Sequence, residues 1–570
     1  MAALFTTPKH NDTTAGTHVA EPDVRRRIGL AHGSWRRVTR RIVAGAVCAL
    51  TVSSLLMPSV SLAAEWVKVG GNKYNTAASD EAGTWSWDGA DDLKLNNYNG
   101  GEIQAAGKLN VNYSGTNIVT AEWIESINVS HGTNENAELN IQGDEGGTLS
   151  VTSTEDAILS TGNINIDGAG SVNATSTGFD AINAGGDLAI KGSGNVNATG
   201  ASDGIRANGN ITIDDSGAVT ARATKDKGIG ADKNLTIKGG GTVEASSEKD
   251  AAVEAKGSLA ATNASLNVNG VEYGVYAHKV ITLDHANVTV RASKGRYGGD
   301  NALFTYQDDI VVKNGSTVDA FAEGEVSAAF STRNDRPNEK GGHIYISDSV
   351  VKAIARYVEN GDGPIPYSEN QDGETRREPQ GENIGIIAQT SEGVTPAVIS
   401  IIRSKVTAEG DTAAIFARAM SADGKTIGTI KIENAAIQTP EGGKVIDYRK
   451  LRDGIYEAGQ AIGTGDATVD SLYIKAVAKS TTIAPPEVAK PDDPKPDETK
   501  PAESKPAESK QNPKPEGSKP TKAVAASTTK AKTTGVLAAT GDTSGAAIVA
   551  TVLAGTAAIA AGTMASRKRS

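Results

Sequence analysis

Residues 188–213 read LAIKGSGNVNATGASDGIRANGNITI, and this stretch sets the architecture of most of the chain. Leu188 and Ile190 flank a small residue, Val196 and Ala198 flank a polar one, and Gly204 precedes Ile205. With Ile211 and Ile213 the same phrase begins again. Outward from here, the first pair recurs as Leu139/Ile141, Ile164/Ile166, Leu235/Ile237, Leu259/Ala261 and Ile281/Leu283, every 22 to 25 residues. The second recurs from Leu149/Val151 to Val288/Val290, and the third from Ala157-Ile158 to Gly274-Val275. Each unit thus holds three short runs with period-two alternation, separated by Gly, Asn, Asp, Ser and Thr, which leaves no room for a helix.

A repeat of this length built only of short strands is one coil of a solenoid. The expected fold is all-β: a right-handed parallel β-helix with three strands per coil over residues 137–480. The apolar residues of each pair then stack inward on their counterparts one rung away, about 4.8 Å along the axis. Asn140, Asn165, Ala189, Thr212 and Thr236 lie between them and face solvent. No coil can bury its own apolar face alone, so both ends need caps.

Composition agrees with many corners and a narrow interior. The chain has 570 residues, 64 of them Gly, only 4% aromatic residues and a formal charge of -11. That acidity argues against nucleic acid, whose binders present a basic face. Cys48 is the single cysteine, so disulfides, a thiolate nucleophile and cysteine metal sites are excluded once the leader is removed. His131, His278, His285 and His343 are scattered without metal-ligand spacing.

The flanks of the repeat carry a different grammar. Arg25, Arg26, Arg27, Arg36, Arg37, Arg40 and Arg41 precede an apolar run from Ile42 to Leu56, and Ser61-Leu62-Ala63-Ala64 supplies small residues where a signal peptidase cuts. Residues 1–63 therefore read as a secretory signal peptide cleaved between Ala63 and Ala64. Residues 64–136 hold Trp66, Trp85, Trp87 and Trp123 and read as an N-terminal cap with the first coils, starting near Leu93/Leu95 and continuing through Leu109/Val111. Beyond Val290 the coils acquire insertions at 291–301, 331–342 and 356–383. A second cap is expected over 445–479. Residues 481–536 are rich in Pro, Lys and Glu and cannot form a core, so they read as an extended stalk.

Residues 537–570 contain Leu537-Ala538-Ala539-Thr540-Gly541, an apolar run over 546–564 and Arg567-Lys568-Arg569. The run is long enough to cross a bilayer as a helix, with the basic cluster left in the cytoplasm. In this order the segment resembles the cell-wall sorting signal of Gram-positive sortase substrates. Ala538 in place of Pro looks like the form read by the sortase class of high-GC actinobacteria. The resemblance implies that a sortase cysteine attacks the carbonyl of Thr540, that Gly541 leaves with the tail, and that an amine of the peptidoglycan precursor resolves the acyl-enzyme.

Chemistry on the repeat has two candidate seats. Asp156, Asp180, Asp203 and Asp250 recur just ahead of the third strand, with Asp226 one place out and Lys227 at the equivalent position. Carboxylates stacked one rung apart repel, which either Ca²⁺ between coils or hydrogen bonds to corner N–H groups would offset. The coil text around Asp180 and Asp203 resembles a β-helix family of bacterial carbohydrate-binding surface proteins. That resemblance implies Ca²⁺-assisted binding of acidic polysaccharide, with Asp180 and Asp203 as the matching positions. The second seat is the insertion at 356–383, where Tyr357 and Tyr367 can stack on a sugar and Arg376 and Arg377 can meet its polar groups. Glu359, Asp362, Asp372 and Glu374 beside them leave a lyase or hydrolase as the alternative. The expectation is a wall-anchored, non-catalytic adhesin or carbohydrate-binding protein, with acidic polysaccharide or host glycan as partner.

Overall fold

The chain divides into two units, Met1–Val488 and Ala489–Ser570. The computed structural model describes residues 63–121, 127–130, 137–293, 300–337, 340–358, 382–422, 424–452, 455–465 and 476–486, all within the first unit. The signal peptide up to Leu62, Trp123, Tyr367, Arg376, Arg377, residues 487–536 and the whole sorting signal lie outside the described residues.

Alternating apolar residues make strands here because each strand buries one face against the interior. The strands form three long sheets, and from Lys108 to Glu433 each sheet takes every third strand in sequence order. This is the arrangement of a parallel β-solenoid. Sheet A runs through Glu138–Gly143, Asn163–Gly168, Leu188–Lys191 and Ile211–Asp214; sheet C through Thr148–Ser153, Ser171–Ser176 and Val196–Gly200; sheet B through Ile158–Ser160, Ile182–Ala184 and Ile205–Ala207. Register is strict. Leu139 pairs with Ile164, Ile164 with Leu188, Leu188 with Ile211 and Ile211 with Leu235, and all five are buried. Each such side chain contributes about 1.5–3 kcal/mol by leaving water. Among the described residues there is no helix, so none is long and apolar enough to cross a membrane.

The corner from sheet A to sheet C is two to four residues long from Leu188 onward and carries a left-handed residue directly after the sheet A strand. Asp215 (φ 46°), Asn263 (49°), His285 (51°), Asn314 (56°), Asp348 (50°), Arg403 (46°) and Asn434 (52°) hold that place, alternating with Gly168, Gly192 and Gly239. Asn and Asp tolerate this region better than most side chains. That corner stays short throughout, and the longer connections fall in the other two corners. Residues 294–299 and 358–382 join sheet C to sheet B, and 335–343 join sheet B to sheet A.

Several boundaries differ from expectation. Residues 331–334 are not inserted: Ser327–Asn334 is one continuous strand of sheet B, because a longer strand pairs fully with Asn383–Thr390. Leu93 pairs with Val111 and not with Leu109, a two-residue offset that leaves the inward face unchanged. Ile437 does not continue the coil, since Ser480–Ala484 comes between it and Val406 as an antiparallel strand. The linker expected from 481 therefore begins later, Thr481 and Ile483 being fully buried.

Antiparallel strands stand at the ends. At the N-terminal end Trp85–Trp87 lies between Ala78–Ser79 and Asp92–Asn96, with both tryptophans buried, and Val67–Val69 lies between Asn72–Tyr74 and Ile103–Ala106. At the other end Ile455–Gly463 pairs with Ala413–Ser421 and with Lys444–Arg452. Sheet A ends on the parallel strand Thr429–Glu433, where Gln460 Oε1 accepts the N–H of Ile430 at 2.9 Å.

Candidate functional site

The outward face of sheet A changes character along the axis. Asn110, Asn140 and Asn165 occupy one column and bond to each other, Asn140 Nδ2 donating to Asn110 Oδ1 at 2.9 Å and Asn165 Nδ2 to Asn140 Oδ1 at 2.8 Å. On the next rungs the same column holds Ala189, Thr212 and Thr236. The amides stop and the floor drops. Beside it runs a wall made by the residue just ahead of each sheet A strand. Asn163 Oδ1 accepts the N–H of Asp187 at 2.8 Å, and Asp187 Oδ1 that of Asn210 at 2.7 Å. Asn210 Oδ1 then accepts the N–H of Asn234 at 3.2 Å, and Asn234 Oδ1 that of Ser258 at 2.9 Å. Wall and floor enclose an open trough of about 420 Å³. Its polar groups are amides and hydroxyls on the sheet A strands and at the corners just ahead of them, with the Asp187 carboxylate as the one charged side chain in the lining.

This wall ladder has no counterpart among the sequence-derived candidates. Its signal is nevertheless present: an Asn or Asp directly before the apolar pair in Asn163-Ile164, Asp187-Leu188, Asn210-Ile211 and Asn234-Leu235. The same corner later holds Asp309, whose Oδ1 accepts the N–H of His343 at 2.9 Å, and His343, whose Nδ1 accepts that of Val398 at 3.1 Å. An accepting Nδ1 fits a neutral imidazole, and burial lowers the pKa of His343. Burial also pushes Asp308 and Asp309 up to about 6.

The expected aspartate ladder is brought together at the corner from sheet C to sheet B, and it grips backbone. Asp156 Oδ1 accepts the N–H of Asp180 at 2.9 Å, Asp180 Oδ1 that of Asp203 at 2.8 Å, and Asp203 Oδ1 that of Lys227 at 2.7 Å. Asp156 Oδ2 takes the amide of Asn183 at 2.9 Å, and Asp203 Oδ2 lies 3.3 Å from the Arg206 guanidinium. The ladder then meets Lys227, whose ammonium is 3.0 Å from Asp250 and 3.5 Å from Glu254. Burial works against the charge of Lys227, but the hydrogen bond and field of Asp250, with Glu254 and Asp203 behind it, hold its pKa up. Burial raises Asp180 to about 6, with Asp203 and Asp156 adding to the rise against the N–H bond that opposes it. Asp203 is raised by burial too.

Hydrogen bonds to N–H groups thus occupy the Oδ1 of Asp156, Asp180 and Asp203, and the next rung presents the Lys227 ammonium in place of a carboxylate. Among the described residues, the group of acids close enough to share an ion is Asp88, Asp91 and Asp92, which includes no member of the ladder. Asp88 Oδ1 there accepts the N–H groups of Ala90 and Asp92 in its own turn.

Tyr357 ends a sheet C strand and is 45% exposed, its N–H donating to Asp411 Oδ2 at 2.6 Å. Ion pairs flank the insertion on both sides: Arg356 with Glu409 before it, and Glu382 with Arg418 at 2.8 Å after it. On sheet B, Tyr273, Tyr276 and Phe304 stack with centroids 5.0–5.3 Å apart, and His278 stacks on Tyr276 at 4.8 Å. The rings meet each other's faces, so this cluster ties two rungs together. The trough is a concave, polar surface of the described residues. Protein-family models, curated proteins and solved structures give no significant match to the chain. The fold and site thus define a class by geometry alone: a β-solenoid with a polar trough on one flank.

Proposed function

We propose that the chain is an exported, wall-anchored surface protein that binds glycan on the flank of a right-handed parallel β-helix and performs no catalysis on it. The trough on sheet A carries this reading. It is shallow, open at the surface and lined by amide and hydroxyl groups fixed on successive rungs, which suits hydrogen bonding to a chain of hydroxyls. Right-handedness is the rule for parallel crossover connections. Export and anchoring rest on the leader ending at Ala63, on the Pro-rich stalk and on the Leu537–Gly541 motif ahead of its apolar run. A Pro-rich stalk extended as polyproline would advance about 3.1 Å per residue, enough over several tens of residues to hold a binding flank clear of the surface.

The test is a polysaccharide panel probed with the purified full-length chain, read both for binding and for new reducing ends or unsaturated uronates. Binding without product is expected. Product formation would replace this reading with a lyase or hydrolase on the same scaffold.

A further inference from the structure

We infer that the trough takes an uncharged, extended β-1,4-linked polysaccharide lying along the solenoid axis, an inference that rests on the glycan-binding reading above and narrows it. Spacing is the first argument. Rungs of a parallel solenoid lie about 4.8 Å apart, close to the advance per sugar in an extended β-1,4-linked chain, so each rung meets one sugar, and because neighbouring sugars are turned by about half a revolution the same face returns at every second rung. The lining spans four rungs, from Asn163 to Asn234, a length of about 14 Å.

Charge is the second argument. Asp187 is the one ionisable group in the lining, and its Oδ1 is held by both the N–H and the Nδ2 of Asn210, at 2.7 and 3.2 Å. A uronate chain would bring its carboxylates against that acid without a cation to offset them. In the neighbouring column Lys238 is paired with Asp214 at 2.7 Å, which leaves Lys191 as a single cation against the repeated charge of a uronate chain. Polygalacturonate-type ligands are therefore disfavoured on this flank.

Direction follows from the floor. Asn165 closes the N-terminal end, where the bonded amide column Asn110–Asn140–Asn165 stands. Past Thr236 the column continues with Ala260 and Thr282, small side chains that leave the path open. A bound chain enters from the C-terminal side and stops against Asn165.

The decisive variant is Ala189→Asn, which carries the existing amide column one rung further and fills the trough with a residue type its neighbour already accommodates. Thr212→Asn fills the next rung by the same logic. The full-length chain is titrated calorimetrically with cellohexaose, chitohexaose, dextran and polygalacturonate. Binding of at least one β-1,4-linked hexaose is expected, weakened about tenfold or more by Ala189→Asn and by Thr212→Asn, with melting temperatures unchanged. Hexaose binding that survives both filling variants overturns the inference, as does a preference for dextran or polygalacturonate; either leaves glycan binding itself standing. Failure of all four probes and of the polysaccharide panel removes both.

Discussion

The buried aspartates set how the protein answers to pH. Asp180, Asp308 and Asp309 are raised by burial to about 6, above the value of about 3.9 for an unfolded chain. Between about pH 4 and pH 6 the native chain holds protons that the unfolded chain has released, so stability falls as pH rises through that window and levels off above it. Asp80, Glu102 and Asp348, held low by Thr84, Lys68 and Arg403, act in the opposite sense and at more acid pH. Urea denaturation is expected to give higher stability at pH 4.5 than at pH 7.5. Asp180→Asn keeps an acceptor for the N–H of Asp203 and loses the buried charge. It should gain about 1 kcal/mol at pH 7.5 and flatten the slope; an unchanged slope would show that Asp180 does not carry it.

At the scale of the element, the left-handed corner after each sheet A strand keeps that flank compact. Asn263 (φ 49°) illustrates the constraint. Asn263→Gly is expected to be nearly neutral, while Asn263→Val forces a β-branched residue into the left-handed region and should cost about 1–2 kcal/mol, measured as a lower urea midpoint. Equal midpoints for the two variants would remove the corner's role. The inward columns were legible in the sequence because alternation and rung stacking leave the same mark on every coil, as at Ile164, Leu188 and Ile211. The offset of Leu93 against Val111 and the intrusion of Ser480–Ala484 beside Val406 were not. Both are pairings between segments whose local pattern is satisfied by several registers. The aspartate ladder was visible as a row, but its partners are N–H groups one coil away, and no local pattern names those. The trough is harder still: it exists because Ala189 lacks the amide that Asn165 has, and a missing side chain gives no motif.

At the scale of the whole molecule, the solenoid is a stack in which each coil rests on its neighbours, with antiparallel strands joining the stack near both ends. The proposed covalent tether at Thr540 makes a prediction for the chain in its cell. Wild-type protein should leave the wall only after muralytic digestion, whereas Thr540→Ala should be extracted by hot detergent or shed to the medium. Wild-type release by detergent alone would end the tether. The N-terminal end, with Trp87 only 2% exposed beneath its hairpin, has a further consequence. That end is synthesised first, so a finished template is waiting when each later coil arrives, and growth can proceed in one direction by adding a rung at a time. A chain interrupted midway would then carry a lower storey that already includes the trough, and its last, uncapped rung would be the part left without the neighbour it rests on.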